Sequence, residues 1–202
     1  MFGLIVFGAL GLYLVLLFAA TWWGYRYAAK KGLPRRKRWL WAAGGFLLVY
    51  LPVFWDWIPT VVAQKYYCTT ASGFWIYKTL DQWKSENPGV MDTLVQRKDS
   101  HFSTQGNTST YILNQRMRWV LQDNAVFALL PVFKHQQEVV DGNSNAVIAR
   151  YIDFSTGYNG WVTGHGGWEG LKFWLVNEHC PNGAHNQDAL RNFRNEFVGA
   201  EK

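Results

Sequence analysis

Two cysteines and five histidines are the side chains of this 202-residue sequence best equipped for chemistry, and all seven fall after residue 64. Cys68 and Cys180 are the only cysteines. In an oxidising compartment they would pair, and closing so long a loop stabilises a fold by about 4–5 kcal/mol in the chain-entropy description. Left reduced, Cys180 would be a nucleophile or metal ligand beside His179 and five residues before His185. Neither the CxxC nor the HExxH spacing that would fix a metal is present. The sequence therefore predicts a Cys68–Cys180 disulfide, with no metal and no cofactor.

His165 stands in the Gly157–Gly170 segment, where six glycines in fourteen residues alternate with Tyr158, Trp161, Trp168 and Glu169. Glycine lets backbone approach a ligand closely, and aromatic rings offer flat apolar faces, so Tyr158, Trp161, His165, Trp168 and Glu169 are candidates to bind a glycan or peptide. The plainer reading is a set of turns and bulges whose tryptophans complete the core. A nucleophile elbow, a phosphate-binding loop, a dinucleotide fingerprint and paired carboxylates at a helical interval are all missing. No catalytic residue is assigned on that basis, and enzymatic activity is disfavoured. The enzyme alternative would use Cys180, His179 or His165, because triads built from distant residues leave no local signature.

The elements that must position these residues divide sharply by charge. Residues 1–64 carry seven basic groups and one acid, Asp56, whereas residues 65–202 carry thirteen of each sign. The net charge of +6 thus belongs to the first third, and nucleic acid is not expected as a partner. From Phe2 to Trp23 no residue is charged, and a helix of that length covers roughly 33 Å, enough for a hydrocarbon core of about 30 Å. Basic residues follow this run and none precedes it, so it reads as a transmembrane helix, not a cleaved signal peptide. A second apolar run extends from Trp39 to Trp55, with Pro52 allowing a kink and Pro59 arguing for a break. Trp22, Trp23, Trp39, Trp41, Trp55 and Trp57 flank the two runs as interfacial residues do, and Asp56 between the last two reads as lying at a wet interface. Gly8, Ala9, Gly11, Ala42, Ala43, Gly44 and Gly45 offer small surfaces for close helix contact.

Between the runs, a loop over residues 24–38 carries Arg26, Lys30, Lys31, Arg35, Arg36, Lys37 and Arg38. Short basic loops stay cytoplasmic, and such cations also attract anionic lipid at about 1 kcal/mol each. Both termini then face outward from a bacterial inner membrane, with the C-terminal domain periplasmic.

Residues 65–202 read as one α+β domain with an antiparallel sheet. Phe74–Tyr77 suits a strand, and Thr79 with Gln82 has capping-box spacing for a following helix that stops at Asn87. Asn87-Pro88 suggests another helix start, Ser100–Thr110 a loop and Tyr111–Gln122 one strand. Phe127–Val140 and Ala146–Phe154 form a hairpin, Leu171–Val176 alternates like a strand, and Leu190, Phe193 and Phe197 mark a last helix over Asp188–Val198. The expectation is a membrane-anchored α+β protein: a transmembrane helical hairpin over residues 1–64 and an extracytoplasmic domain over 65–202. Its role is non-enzymatic, an assembly or interaction module or accessory subunit whose partners are the lipid bilayer and a membrane or periplasmic protein.

Overall fold

The computed structural model describes residues 2–96, 102–157, 172, 174, 175 and 178–198. The chain divides into two compact units, Met1–Ile58 and Pro59–Lys202. In the first, helix α1 spans Phe2–Lys30 and α2 spans Arg35–Phe54. Gly32 adopts φ +68°, which lets the Gly32 and Leu33 N–H groups return to the Ala29 and Ala28 carbonyls at 3.0 and 3.2 Å and close the end of α1. Pro34 then sets up α2, and its carbonyl accepts from Lys37 and Arg38. The expected basic loop over 24–38 is thus corrected to a turn over 31–34, leaving six of its seven cations in helix ends. Lys and Arg are good helix formers, so only Gly32 and Pro34 interrupt the helices.

α1 and α2 pack antiparallel through glycine. A Cβ on Gly24 would stand 2.4 Å from the Trp41 carbonyl oxygen, and one on Gly45 2.4 Å from that of Ala20. Ala28 and Ala42 are buried. Gly8, Gly11 and Gly44 meet nothing within 4 Å and take no part in this contact; Gly44 is one residue, about 100° of helix, away from the contacting Gly45.

α1 is long and apolar enough over Phe7–Lys30 to cross a membrane, whereas Arg35–Phe54 and Trp57–Thr70 pass the same test only as a broken pair. The break falls at Trp55-Asp56, ahead of Pro59. Pro59 sits in the first turn of helix α3 (Trp57–Thr70), where a missing N–H is harmless. Asp56, read as lying at a wet interface, is fully buried.

The second unit is built on a six-stranded antiparallel sheet in the order β1-β6-β5-β4-β3-β2. The strands are β1 Gly73–Ile76, β2 Phe102–Gln105, β3 Thr108–Ile112, β4 Met117–Ala125, β5 Val132–Asp141 and β6 Val147–Thr156. Helix α4 (Leu80–Glu86) follows β1 with the expected Thr79/Gln82 capping box, and helix α5 (Gly183–Glu196) packs on β1 and β6. The core gathers Trp83 from α4, Met117, Val139, Ala149 and Tyr151 from the sheet, and Leu190, Phe193 and Phe197 from the last helix and its cap. Phe74 meets Phe193 edge-on at 6.2 Å, and Trp83 meets Phe197 at 5.8 Å.

Three elements differ from expectation for local reasons. Gly89 at φ +74° stops a helix after Pro88, leaving a single 3-10 turn over Met91–Thr93. The polar stretch expected as a loop forms the β2–β3 hairpin around Gly106, at φ +60°; β2 is an exposed edge strand and needs no apolar face. The single strand expected over Tyr111–Gln122 is two, because Asn114 Oδ1 accepts from the Arg116 and Met117 N–H groups and reverses the chain. The same amide donates to the Phe197 and Val198 carbonyls, so this turn holds the end of α5. The strand expected at Leu171–Val176 lies mostly outside the described residues, and Trp174 and Leu175 are in a turn and a bend.

A buried ion pair braces the same end of the sheet. Asp141 accepts from Arg116 Nε at 2.9 Å, Trp83 Nε1 at 3.0 Å and the Asn143 N–H at 2.9 Å. Burial alone would raise the Asp141 carboxyl, but these hydrogen bonds and the charge of Arg116 outweigh it and hold it at about 2. A folded value below the ordinary one adds stability that is present above about pH 4 and lost as the pH falls through about 2. We therefore expect the stability gap between wild type and Asp141→Asn to narrow by about 1–2 kcal/mol between pH 5 and 2. Chemical denaturation at stepped pH measures it, and a gap that stays constant contradicts this role.

Candidate functional site

The densest cluster of chemically capable side chains lies across three neighbouring strands. The ladder sets Asp123 of β4 opposite His135 of β5, and His135 opposite Asp153 of β6. Directly paired residues share a face, and Ser155, two residues beyond Asp153, shares it too. This is also the face on which Met117, Val139 and Tyr151 meet the core; the apolar residues fill one end and the polar cluster the other.

His135 is bonded at both ring nitrogens. Nδ1 lies 2.6 Å from Asp123 Oδ1, and Nε2 lies 2.7 Å from Ser155 Oγ. An ionised carboxylate only accepts, so Nδ1 carries a proton, and in the neutral ring Nε2 is left to accept from the Ser155 hydroxyl. Ser155 is buried, and the side chains of His135 and Asp123 are 29% and 68% exposed.

A second histidine stands beside the first. The ring centroids of His135 and His179 are 5.6 Å apart. His179 Nδ1 meets Asp153 Oδ2 at 2.5 Å, while Asp153 Oδ1 accepts the Cys180 N–H at 3.1 Å. Asp153 is itself buried. A Cβ on Gly183 would stand 3.2 Å from its Oδ1, so the absent side chain leaves room for the carboxylate. Burial, with the neighbouring Asp153 charge, pushes the Tyr151 hydroxyl well up. It stays a donor, to the Gly183 carbonyl at 3.0 Å.

What holds His179 in place is the segment around it. The Glu178 carbonyl accepts from Gln64 Nε2 and from the Thr156 N–H. Cys180 is joined to Cys68 of α3 by a disulfide with Cα atoms 5.4 Å apart. The expected bridge is present, and it leaves Cys180 no thiol for the nucleophilic or metal-binding role weighed above. No three His, Cys, Asp or Glu side chains among the described residues are arranged to hold a metal ion.

No family model, curated protein or solved structure matches the chain. The site therefore rests on its geometry. Tyr158, Trp161, His165, Trp168 and Glu169, the glycan or peptide candidates, lie outside the described residues, as does His101. His179 is brought into the cluster, and His185 lies in the first turn of α5. Asp123, Asp153 and Ser155 were not singled out by sequence. Their one signal is that His135 and Gln137 alternate on a strand face whose next member, Val139, is core together with Ala149 opposite it, so polar residues occupy positions that patterning reserves for apolar ones.

Removing the bridge tests the brace on His179. The Cys68→Ser/Cys180→Ser variant is expected to lose up to about 4–5 kcal/mol of unfolding free energy. Urea unfolding in detergent measures it, with reductant producing the same shift in wild type and none in the variant.

Proposed function

We propose that this chain is a multi-pass protein of a bacterial cytoplasmic membrane whose second unit works on the outer side as an assembly or interaction module, an accessory subunit of a membrane complex. The observation that carries the reading is the apolar exterior of the first unit: Phe7, Phe18 and Leu48 are 74%, 70% and 76% exposed. Water would not tolerate such a surface, and hydrocarbon would. A girdle at the turn end supports it. Arg26 lies 4.8 Å over the Trp22 ring, Lys31 lies 5.9 Å from that of Tyr27, and Tyr25–Trp39 and Tyr27–Trp41 pairs join α1 to α2. Rings that keep one end apolar and one end wet suit the headgroup level. Arg26, Lys30, Lys31, Arg35, Arg36, Lys37 and Arg38 then stay cytoplasmic and meet anionic headgroups. The Cys68–Cys180 disulfide agrees with an oxidising outer compartment.

The interaction role draws on β1. It is a sheet edge, paired on one side with β6 and with no described strand on the other. Trp75, Ile76 and Tyr77 are all exposed there. An open edge with large apolar side chains is a template for pairing, which a protein partner would cover.

A reporter active only outside the cytoplasm, fused after residue 202, should be active, and a cytoplasmic reporter at that point silent; the reverse pattern overturns the orientation. Ile76→Asp should remove a partner that co-purifies in detergent while leaving the melting temperature within a few degrees, and full retention of the partner argues against β1 as the contact.

A further inference from the structure

The Asp123–His135–Ser155 arrangement has a chemical meaning beyond tethering and docking, and independent of them. We propose that Ser155 is a nucleophile, His135 its general base and Asp123 the group that orients the base, forming a site that hydrolyses carboxylic esters.

The connectivity carries the inference. A serine hydroxyl is a weak nucleophile until a base takes its proton in the transition state. Ser155 Oγ lies 2.7 Å from His135 Nε2, within the reach that transfer requires. A carboxylate at the other ring nitrogen fixes the tautomer with Nε2 free and stabilises the imidazolium that forms. Asp123 occupies that place at 2.6 Å. All three come from adjacent strands, β4, β5 and β6, whose ladder fixes their spacing, and sites on regular elements are held more firmly than sites on loops.

The steps balance without any co-reactant except water. Ser155 Oγ attacks the ester carbonyl carbon and its proton passes to His135 Nε2. The tetrahedral oxyanion collapses, the carbon–alkoxide bond breaks, and the departing alkoxide takes the proton from Nε2. Water then attacks the acyl-Ser155, giving its proton to Nε2. Collapse releases the carboxylic acid, and Ser155 recovers its hydrogen.

In this proposal His179 supplies the oxyanion donor. Its Nδ1 is held on Asp153, and its ring is 5.6 Å from that of His135. In its protonated form the Nε2–H is available to the developing negative charge, with buried Asp153 balancing the imidazolium. Ser155 is buried, while the His135 and His179 side chains are 29% and 52% exposed.

The test uses the full-length oxidised protein in detergent with a small fluorophosphonate, which phosphonylates activated serines with loss of fluoride. Intact and peptide mass spectrometry should place one adduct on Ser155. His135→Asn should slow labelling by at least about 100-fold. Asp123→Asn should slow it by about 10-fold, less than a buried aspartate would, because water screens this exposed carboxylate. Hydrolysis of p-nitrophenyl acetate should fall in parallel and vanish in Ser155→Ala, with circular dichroism melts showing each variant folded. His179→Gln, which keeps a donor, should retain more kcat than His179→Ala, with KM little changed. A folded wild type that takes no adduct on Ser155, or one whose labelling rate is the same in folded His135→Asn, overturns the proposal. Neither outcome bears on the membrane topology, which the reporter fusions decide separately.

Discussion

The covalent link between Cys68 and Cys180 is the constraint on which the second unit most depends. It spans 112 residues of sequence and fastens α3 to the short segment that carries His179. Around it, Gln64 and Thr156 both bond the Glu178 carbonyl, and Asp153 takes the Cys180 N–H. Three elements far apart in sequence, α3, β6 and the approach to α5, are thereby fixed at one point. The segment that carries His179 is thus a braced mount for an imidazole.

The opposite end of the same sheet face is held by different physics. There Asp141, Arg116, Trp83 and Asn87 share charge-assisted hydrogen bonds, and an aromatic core covers them. A buried carboxylate is costly unless it is paired and hydrogen-bonded, and Asp141 accepts three hydrogen bonds, one of them from Arg116. The sheet thus carries an apolar and ionic end that stabilises it, and a histidine-rich end that is more open to solvent. The division matters because reactive groups need partial solvent access, whereas a core needs exclusion of water.

Legibility in the sequence followed the range of the forces involved. Short-range signals were clear: the Thr79/Gln82 capping box, Leu190, Phe193 and Phe197 on one helix face, and the apolar run of α1 are all present. So is the turn-rich segment between β5 and β6, where Asn145 takes φ +53°. The disulfide was foreseeable because two cysteines allow one pairing. Elements stabilised by partners elsewhere were not legible. β2 is exposed along its whole length and mostly polar, and it exists through its ladder to β3, while the Asn114 reversal depends on the carboxyl end of α5 for half of its hydrogen bonds. The His135 cluster belongs to this second class. Its members are separated by twelve, eighteen and two residues along the chain, and only strand register brings them together.

Asn114 ties four main-chain groups, two in its own turn and two at residues 197 and 198, through one buried amide. Without those two carbonyls this amide lacks half its partners and the β3–β4 reversal lacks its lock. Closing of the β3–β4 reversal and seating of the end of α5 are therefore coupled, each completing the hydrogen bonds of the other.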